Sequence, residues 1–587
     1  MFSRKVFRNL SKQNKRHGVV AVVAAVSMVV LFGFVALSVD SGRIVLTKTE
    51  MQNAVDAAAL AASQEITGAI HNAAEDGSGA QIDANSIAID NARVIAFEVA
   101  QANGVYIDPA VDVTFGRRRY DVASDSWPIE WGVGPYNVVK VMARRDQNDV
   151  ELPDGKLELS FGWAVGQGAV ALQAQSTAFV QARDIVLVLD FSASMNDDSS
   201  FRAFSQLGQE NVEDTLDNMW DTFRSEDPKW PGTNESKFPA SGFGLINSYQ
   251  GTYHGNSDPH TVIHDLGLDE TNYYGEPKYP FPQAGRYSSG WPKSKPSADT
   301  SYWLWYYYIQ HVIYNNSGSN YRLYGYRSLM DYMQESRYSS SKSEDMWRVP
   351  HYPFHAVKEG ATLFLDFLDG LDFGDEVGLV SYGAYAKWEI SHYDNDYEVD
   401  ISENPITDDY DTLNEIQRRH QAGDYSGWTG MGDGIFEARE MLLGDSDDPS
   451  DLGYTRYGAR PTMIVMTDGQ TNQRPENWTM PDDFNWDDWT DYDGNGTADY
   501  STSDKNKEYA FWEATQAINQ GITLHTMSVG AGADRSLMEA IAFAGSGIHT
   551  EVPGGSTVSE MEEQMLDAFR RIAAKVPPPR LIKSEDN

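Results

Sequence analysis

The sequence predicts an α/β protein: a doubly wound parallel sheet with large insertions, preceded by a membrane-crossing helix and a small α+β stalk. Three observations carry this. An apolar run without charge fills residues 18–39. Two apolar runs, 185–189 and 463–466, each lead into an aspartate. Helix-periodic and strand-like segments alternate around them.

The N-terminal segment comes first. Residues 1–17 hold Arg4, Lys5, Arg8, Lys12, Lys15 and Arg16 and no acid. Residues 18–39 are long enough to cross about 30 Å of hydrocarbon as a helix. A secretory signal has an apolar part of only about 7–15 residues, which favours a retained anchor over cleavage at Ala36-Leu37-Ser38. The positive-inside bias keeps the basic tail cytoplasmic and sends the body outward.

The helix is expected to continue through residues 44–66, which are rich in alanine (Ala54, Ala57, Ala58, Ala61, Ala62). The apolar span, Val39-Asp40-Ser41-Gly42-Arg43 and Gln52-Asn53-Ala54-Val55-Asp56-Ala57-Ala58-Ala59-Leu60 together resemble the N-terminal module of TadG-like proteins of Flp/Tad pilus-assembly systems. That resemblance implies a bacterial inner-membrane protein, single-pass, with pilus or envelope proteins as partners and its body periplasmic or exposed at the surface.

Residues 40–183 read as this helix plus the stalk. A second helix is expected over 83–103, with short strands at 111–115, 138–143 and 178–182. Arg117-Arg118-Arg119 reads as a solvated hairpin.

The parallel sheet is expected over 184–575, with a polar tail at 576–587. Its first strand, 185–189, is apolar throughout, as a strand buried on both faces should be. It ends in Asp190-Phe191-Ser192-Ala193-Ser194, where alternate residues point one carboxylate and two hydroxyls to the same side. A glycine-rich loop, 425–434, presents Thr429 ahead of a helix at 435–443. The run 462–467 ends in Asp468-Gly469. A helix at 357–368, a strand at 374–382, a helix at 505–518, a strand at 522–529 and a helix at 558–574 complete the alternation. These three motifs, in this order, resemble the metal-ion-dependent adhesion site of von Willebrand factor A domains. The resemblance implies that Ser192, Ser194 and Thr429 ligate the metal or hold its waters, with Asp190 and Asp468 acting directly or through water. All are hard oxygen donors suited to Mg²⁺ or Mn²⁺. Few charged ligands leave a coordination position for a carboxylate of a protein partner.

Two insertions, 197–352 and 471–504, leave from strand ends on the edge that carries these motifs, and are expected to form a cap over or beside it. The first is rich in aromatics: Tyr302, Trp303, Trp305 to Tyr308, then Tyr321, Tyr324, Tyr326, Tyr332 and Tyr338. They are read as the cap's own core, with a docking surface as the alternative. In the second, Asp491, Asp493, Asn495 and Asp499 fall at relative positions 1, 3, 5 and 9 with Gly496 at 6. This resembles a calcium loop without its closing glutamate.

The chain of 587 residues carries a net charge of −40, which excludes nucleic acid as a partner. The absence of cysteine removes disulfides, thiolate zinc sites and cysteine nucleophiles. His254, His260 and His264 read as surface residues, and no motif supplies Ser192 with a histidine base, so no enzyme activity is expected. Three readings stand: a metal-dependent protein-binding component of a Flp/Tad-type pilus or envelope apparatus, a surface adhesin using the same domain, and an envelope scaffold with a vestigial site.

Overall fold

The computed structural model describes residues 17–75, 84–226, 252–253, 258–278, 281, 297–314, 323–334, 346–393, 397–423, 427–445, 448, 450–530, 532–553, 558–575 and 577–582. The basic residues 4–16, His254, Tyr321, Tyr338, Tyr425 and Ser426 lie outside them.

One helix, His17–Glu75, runs unbroken from the apolar span into the stalk, 59 residues and about 88 Å long. Its two parts bury different faces. Val20, Phe32 and Leu37 are exposed, whereas Met51, Ala54, Val55, Ala58, Ala59 and Ala62 are buried. These three-and-four spacings form a stripe against Ala92, Ala96 and Ala100 of the helix Ala84–Ala102 and against a five-stranded antiparallel sheet. Small side chains on both helices permit close approach.

The stalk sheet has the order Arg580–Leu581, Leu172–Phe179, Val138–Arg145, Val113–Arg118, Ile129–Trp131. Two expectations are corrected here. The run 178–182 is not one strand: it holds the end of Leu172–Phe179 and the lead into the next strand at Arg183. The C-terminal segment is not only a polar tail, because Arg580 and Leu581 pair with Phe179 and Ala178. The chain thus enters and leaves the second domain through one sheet.

That second domain is a doubly wound sheet in the order Ala386–Trp388, Glu376–Tyr382, Arg183–Asp190, Arg460–Thr467, Thr523–Val529, Ser546–Val552. All neighbours are parallel except the first pair. The alternation along its first strand builds both cores. Ile185, Leu187 and Leu189 pack with the helices Phe354–Leu371 and Val558–Ala573. Val186 and Val188 pack with Met431–Leu443, Lys505–Asn519 and Arg535–Ala544. Successive strands are added on one side of Arg183–Asp190 and then, from Arg460–Thr467, on the other, and at such a switch point a crevice opens beyond the strands' C-terminal ends.

The described part of the first insertion has its own core, in which Trp305, Tyr308, Tyr324 and Tyr332 are wholly buried. It is rooted just beyond the D-x-S-x-S loop. Asn196 Nδ2 donates to the Gln334 carbonyl at 2.9 Å, Ser199 Oγ to Gln334 Oε1 at 2.5 Å, and the Phe201 amide to Asp331 at 2.7 Å. The second insertion packs Phe484, Trp486 and Tyr500 on Phe511, against the flank of the helix Lys505–Asn519.

Candidate functional site

The site is assembled where the two central strands end. Asp190 closes the strand Arg183–Asp190, and its carboxylate folds back to accept the Ser192 amide at 2.9 Å and the Thr467 hydroxyl at 2.8 Å. Ser192 Oγ and Ser194 Oγ are 2.9 Å apart, and Ser194 Oγ donates to Asp468 Oδ1 at 2.8 Å. Asp190 is thus tied to Ser192 through its amide, and two hydroxyls link Ser192 to Asp468. Gly469 runs alongside this corner, where a Cβ would lie in ordinary contact with Ser194 Oγ at 3.5 Å.

Thr429 arrives from a different element. Its amide donates to Asn472 Oδ1 at 2.7 Å, and its carbonyl accepts the Thr471 hydroxyl at 3.0 Å and the Asn472 amide at 2.9 Å. The loop after Asp468 thus holds Thr429 beside the crevice, while a Cβ at Gly427 would come within 3.9 Å of Ala193. The helix after Thr429 begins at Met431 rather than at 435. Two glycines counted as loop lie inside it, and their role is packing. A Cβ on Gly432 would strike the Tyr509 ring, and one on Gly434 would lie 2.7 Å from the Tyr382 ring.

Electrostatics single the crevice out. Asp190, Ser192, Thr429 and Asp468 are all buried. Burial pushes the Asp190 carboxyl upward, opposed by its hydrogen bonds from Ser192 and Thr467. Burial, reinforced by the charge of Asp190, holds Asp468 well above the usual carboxylate range. The other strong charge influences on Asp468 are Asp197 and Asp198, again acidic. Asp198 is itself pushed up to about 6 by burial and by Asp197. Buried carboxylates that face acids and hydroxyls need a cation or a proton.

Sequence reasoning passed over Thr467, Thr471 and Asn472. Thr467 does end the strand Arg460–Thr467, and its place before Asp468 puts its hydroxyl on the same edge as the carboxylates.

The acidic loop of the second insertion is separate. One oxygen each of Asp491, Asp493 and Asp499 lies within 4.8 Å of the others. Asn495 lies among them: its amide donates to Asp491 and Asp493, and its side-chain oxygen accepts the Thr497 amide and hydroxyl.

The arginine triplet lies at a hairpin, as expected, with Arg117 and Arg118 on the strand that pairs antiparallel with Ile129–Trp131, and its side chains are engaged. Arg117 pairs with Glu130 at 2.7 Å, Arg118 lies over the Phe179 ring at 4.1 Å, and Arg119 reaches Asp408 at 2.6 Å. With the bond from Trp127 Nε1 to the Tyr457 carbonyl at 2.7 Å, this side of the stalk grips the parallel-sheet domain.

Residues 18–70 match the model of the family described as Flp pilus-assembly TadE/G-like. Among curated proteins, none matches the sequence. Proximal thread matrix protein 1 from the mussel byssus is similar in structure at 15% identity, covering 37% of this chain and 43% of that one, with a TM-score of 0.24. A von Willebrand factor type A structure from Catenulispora acidiphila is similar at 15% identity, covering 38% of each chain, with a TM-score of 0.23. The vWF domain of the type V pili tip protein Mfa5 from Porphyromonas gingivalis is similar at 14% identity, covering 38% of this chain and 85% of that one, with a TM-score of 0.24. The chain spans less than half the length of the first two. The strand order, rather than these likenesses, carries the fold.

Proposed function

We propose that this chain is a membrane-anchored, cation-dependent protein-binding component of a Flp/Tad-type pilus assembly or related envelope apparatus. The observation that carries the binding half is the linked group Asp190, Ser192, Ser194 and Asp468 at the switch point, beside Thr429, with two buried carboxylates and acidic neighbours. This donor set fits Mg²⁺ or Mn²⁺: every atom is a hard oxygen, and the buried charge calls for a cation. A divalent ion held there supplies a Lewis-acidic position for a partner's carboxylate. The chain's own residues do the rest. Thr467 and the Ser192 amide fix the Asp190 carboxylate, and Ser194 orients Asp468. Thr471 and Asn472 hold Thr429 in place. We read the set as an adhesion site rather than a catalytic one, because its donors are hard oxygens grouped as cation ligands.

The anchoring half is supported by the helix itself. Its apolar part has a mean hydropathy of 2.8 and none of it is buried within the protein. Six basic residues in the tail favour a cytoplasmic N-terminus. The match of residues 18–70 supports the pilus-assembly assignment. For the loop at Asp491, Asp493 and Asp499 we propose Ca²⁺, whose part would be to stiffen the second insertion.

The test uses the full chain in detergent, immobilised and offered envelope extract with Mg²⁺ or with EDTA. Capture of a partner is expected with Mg²⁺ only, and Asp190→Ala should abolish it. Capture that survives both EDTA and Asp190→Ala overturns the adhesion mechanism.

A further inference from the structure

We infer that the hairpin tip at residues 159–168 is a membrane-surface contact, with Phe161 and Trp163 seated in the headgroup boundary of the bilayer. This rests on the reading of the N-terminal helix as an anchor.

The hairpin pairs Leu157 with Val170 and Glu158 with Ala169, and Leu157 is fixed in the stalk core. Its position along the long helix is set by two contacts. Gln52 Nε2 donates to the Gln175 carbonyl at 3.0 Å, at the stalk sheet. Twelve residues nearer the membrane, Asp40 accepts the Ser160 amide at 2.8 Å and the Phe161 amide at 3.0 Å. The hairpin therefore extends about 18 Å along the helix toward the apolar span. It stops at Asp40, the residue that ends that span. Arg43 Nη1 adds a bond to Ser160 Oγ at 2.8 Å. Asp40 is thus a polar stop whose carboxylate is satisfied by the hairpin.

The tip is built to hold its aromatics outward. The Gly166 amide donates to the Trp163 carbonyl at 3.2 Å and the Gln167 amide to the Gly162 carbonyl at 2.9 Å, closing a tight turn. A side chain at Gly162 would collide with the Gln167 carbonyl and Leu159, and Gly166 has φ +81°. With its backbone locked, the tip exposes 73% of Trp163 and 41% of Phe161. Val45 and Leu46 continue the exposed apolar surface of the helix past Asp40. Large aromatics at the level where an apolar helix meets its first charge are the composition of a bilayer's interfacial belt.

The chain has no cysteine, so single cysteines give clean labels. Trp163→Cys, carrying an environment-sensitive fluorophore, is placed in the full chain in vesicles of phosphatidylcholine and phosphatidylglycerol. Leu31→Cys in the apolar span and Tyr273→Cys, 96% exposed on the first insertion, are labelled in parallel. Lipids carrying nitroxides at shallow or deep acyl positions act as quenchers. Position 31 should be quenched by deep nitroxides, position 163 several-fold more by shallow nitroxides than position 273, and position 273 by neither. Quenching at 31 with 163 behaving like 273 overturns the surface contact and leaves the anchor standing. No quenching at 31 removes the anchor, and the contact with it. A label at 163 shielded from aqueous quencher yet untouched by lipid nitroxides means that protein covers the tip, which also overturns the proposal.

Discussion

The strand Arg183–Asp190 carries a fully buried aspartate near each end, and the two have opposite surroundings. At its start, Asp184 accepts the Arg456 amide at 2.7 Å and Arg456 Nε at 2.9 Å, while the neighbouring Arg183 pairs with Asp375 at 2.6 Å. At its end, Asp190 meets two hydroxyl-bearing residues and stands near Asp468. Burial pushes both carboxyls upward, but only Asp184 has an arginine to oppose it. A buried charge compensated from within is a structural joint. One left uncompensated at a switch point is a place for an outside cation.

The contrast can be broken first at the compensated end. Arg456→Ala leaves Asp184 buried without its partner and should cost about 3–5 kcal/mol of stability, the same with Mg²⁺ or EDTA. Thermal melting of the full chain in detergent measures it. A loss that Mg²⁺ repairs would mean the two ends are not distinct.

At the uncompensated end the signs reverse. Mg²⁺ at about a hundred times its dissociation constant should stabilise the wild type by about 2.7 kcal/mol, and Asp190→Asn should lose that increment. In EDTA, Asp190→Asn should melt no lower than wild type, because it removes a charge that burial penalises. A drop in EDTA as large as that of Arg456→Ala would contradict the distinction.

A smaller effect sharpens the picture. Thr467→Val deletes the hydroxyl that fixes Asp190 and should weaken Mg²⁺ binding about tenfold by calorimetry, with little change in EDTA stability. Unchanged affinity would show that Asp190 needs no such orientation.

A separate, pH-dependent effect lies back at the start of the sheet. Arg456 also meets Glu376 at 2.8 Å, yet burial outweighs this shared guanidinium and carries the Glu376 carboxyl to about 7 from 4.5. The folded chain then binds a proton that the unfolded chain releases, so stability declines as pH rises from 4.5 to 7. Glu376→Gln should flatten that part of the slope in melts taken across the window. An unchanged slope would remove Glu376 as its source.

How far the sequence shows all this depends on distance along the chain. Asp190, Ser192 and Ser194 are legible because they share one turn, and Asp468 because an apolar run leads into it. The strand Ser546–Val552 is hidden: it is only partly buried, and it starts beside two glycines that meet the backbone of Leu524. The arginine triplet's hairpin is legible, but its partner is not, because Arg119 finds Asp408 across 289 residues and no local pattern reports such a pairing. The aromatics of the first insertion divide by face in the folded chain, with Trp305 and Tyr308 inside and Trp303 and Tyr307 partly outside. Periodicity places them on a helix, but only packing sorts them.

The most direct test of a cation at the switch point is anomalous diffraction from crystals of the full chain soaked in Mn²⁺. A peak bounded by Ser192 Oγ, Ser194 Oγ and Asp468, absent from Asp190→Asn crystals, is the expected result. Density at the Asp491 loop alone, with none between Ser194 and Asp468, would contradict the account.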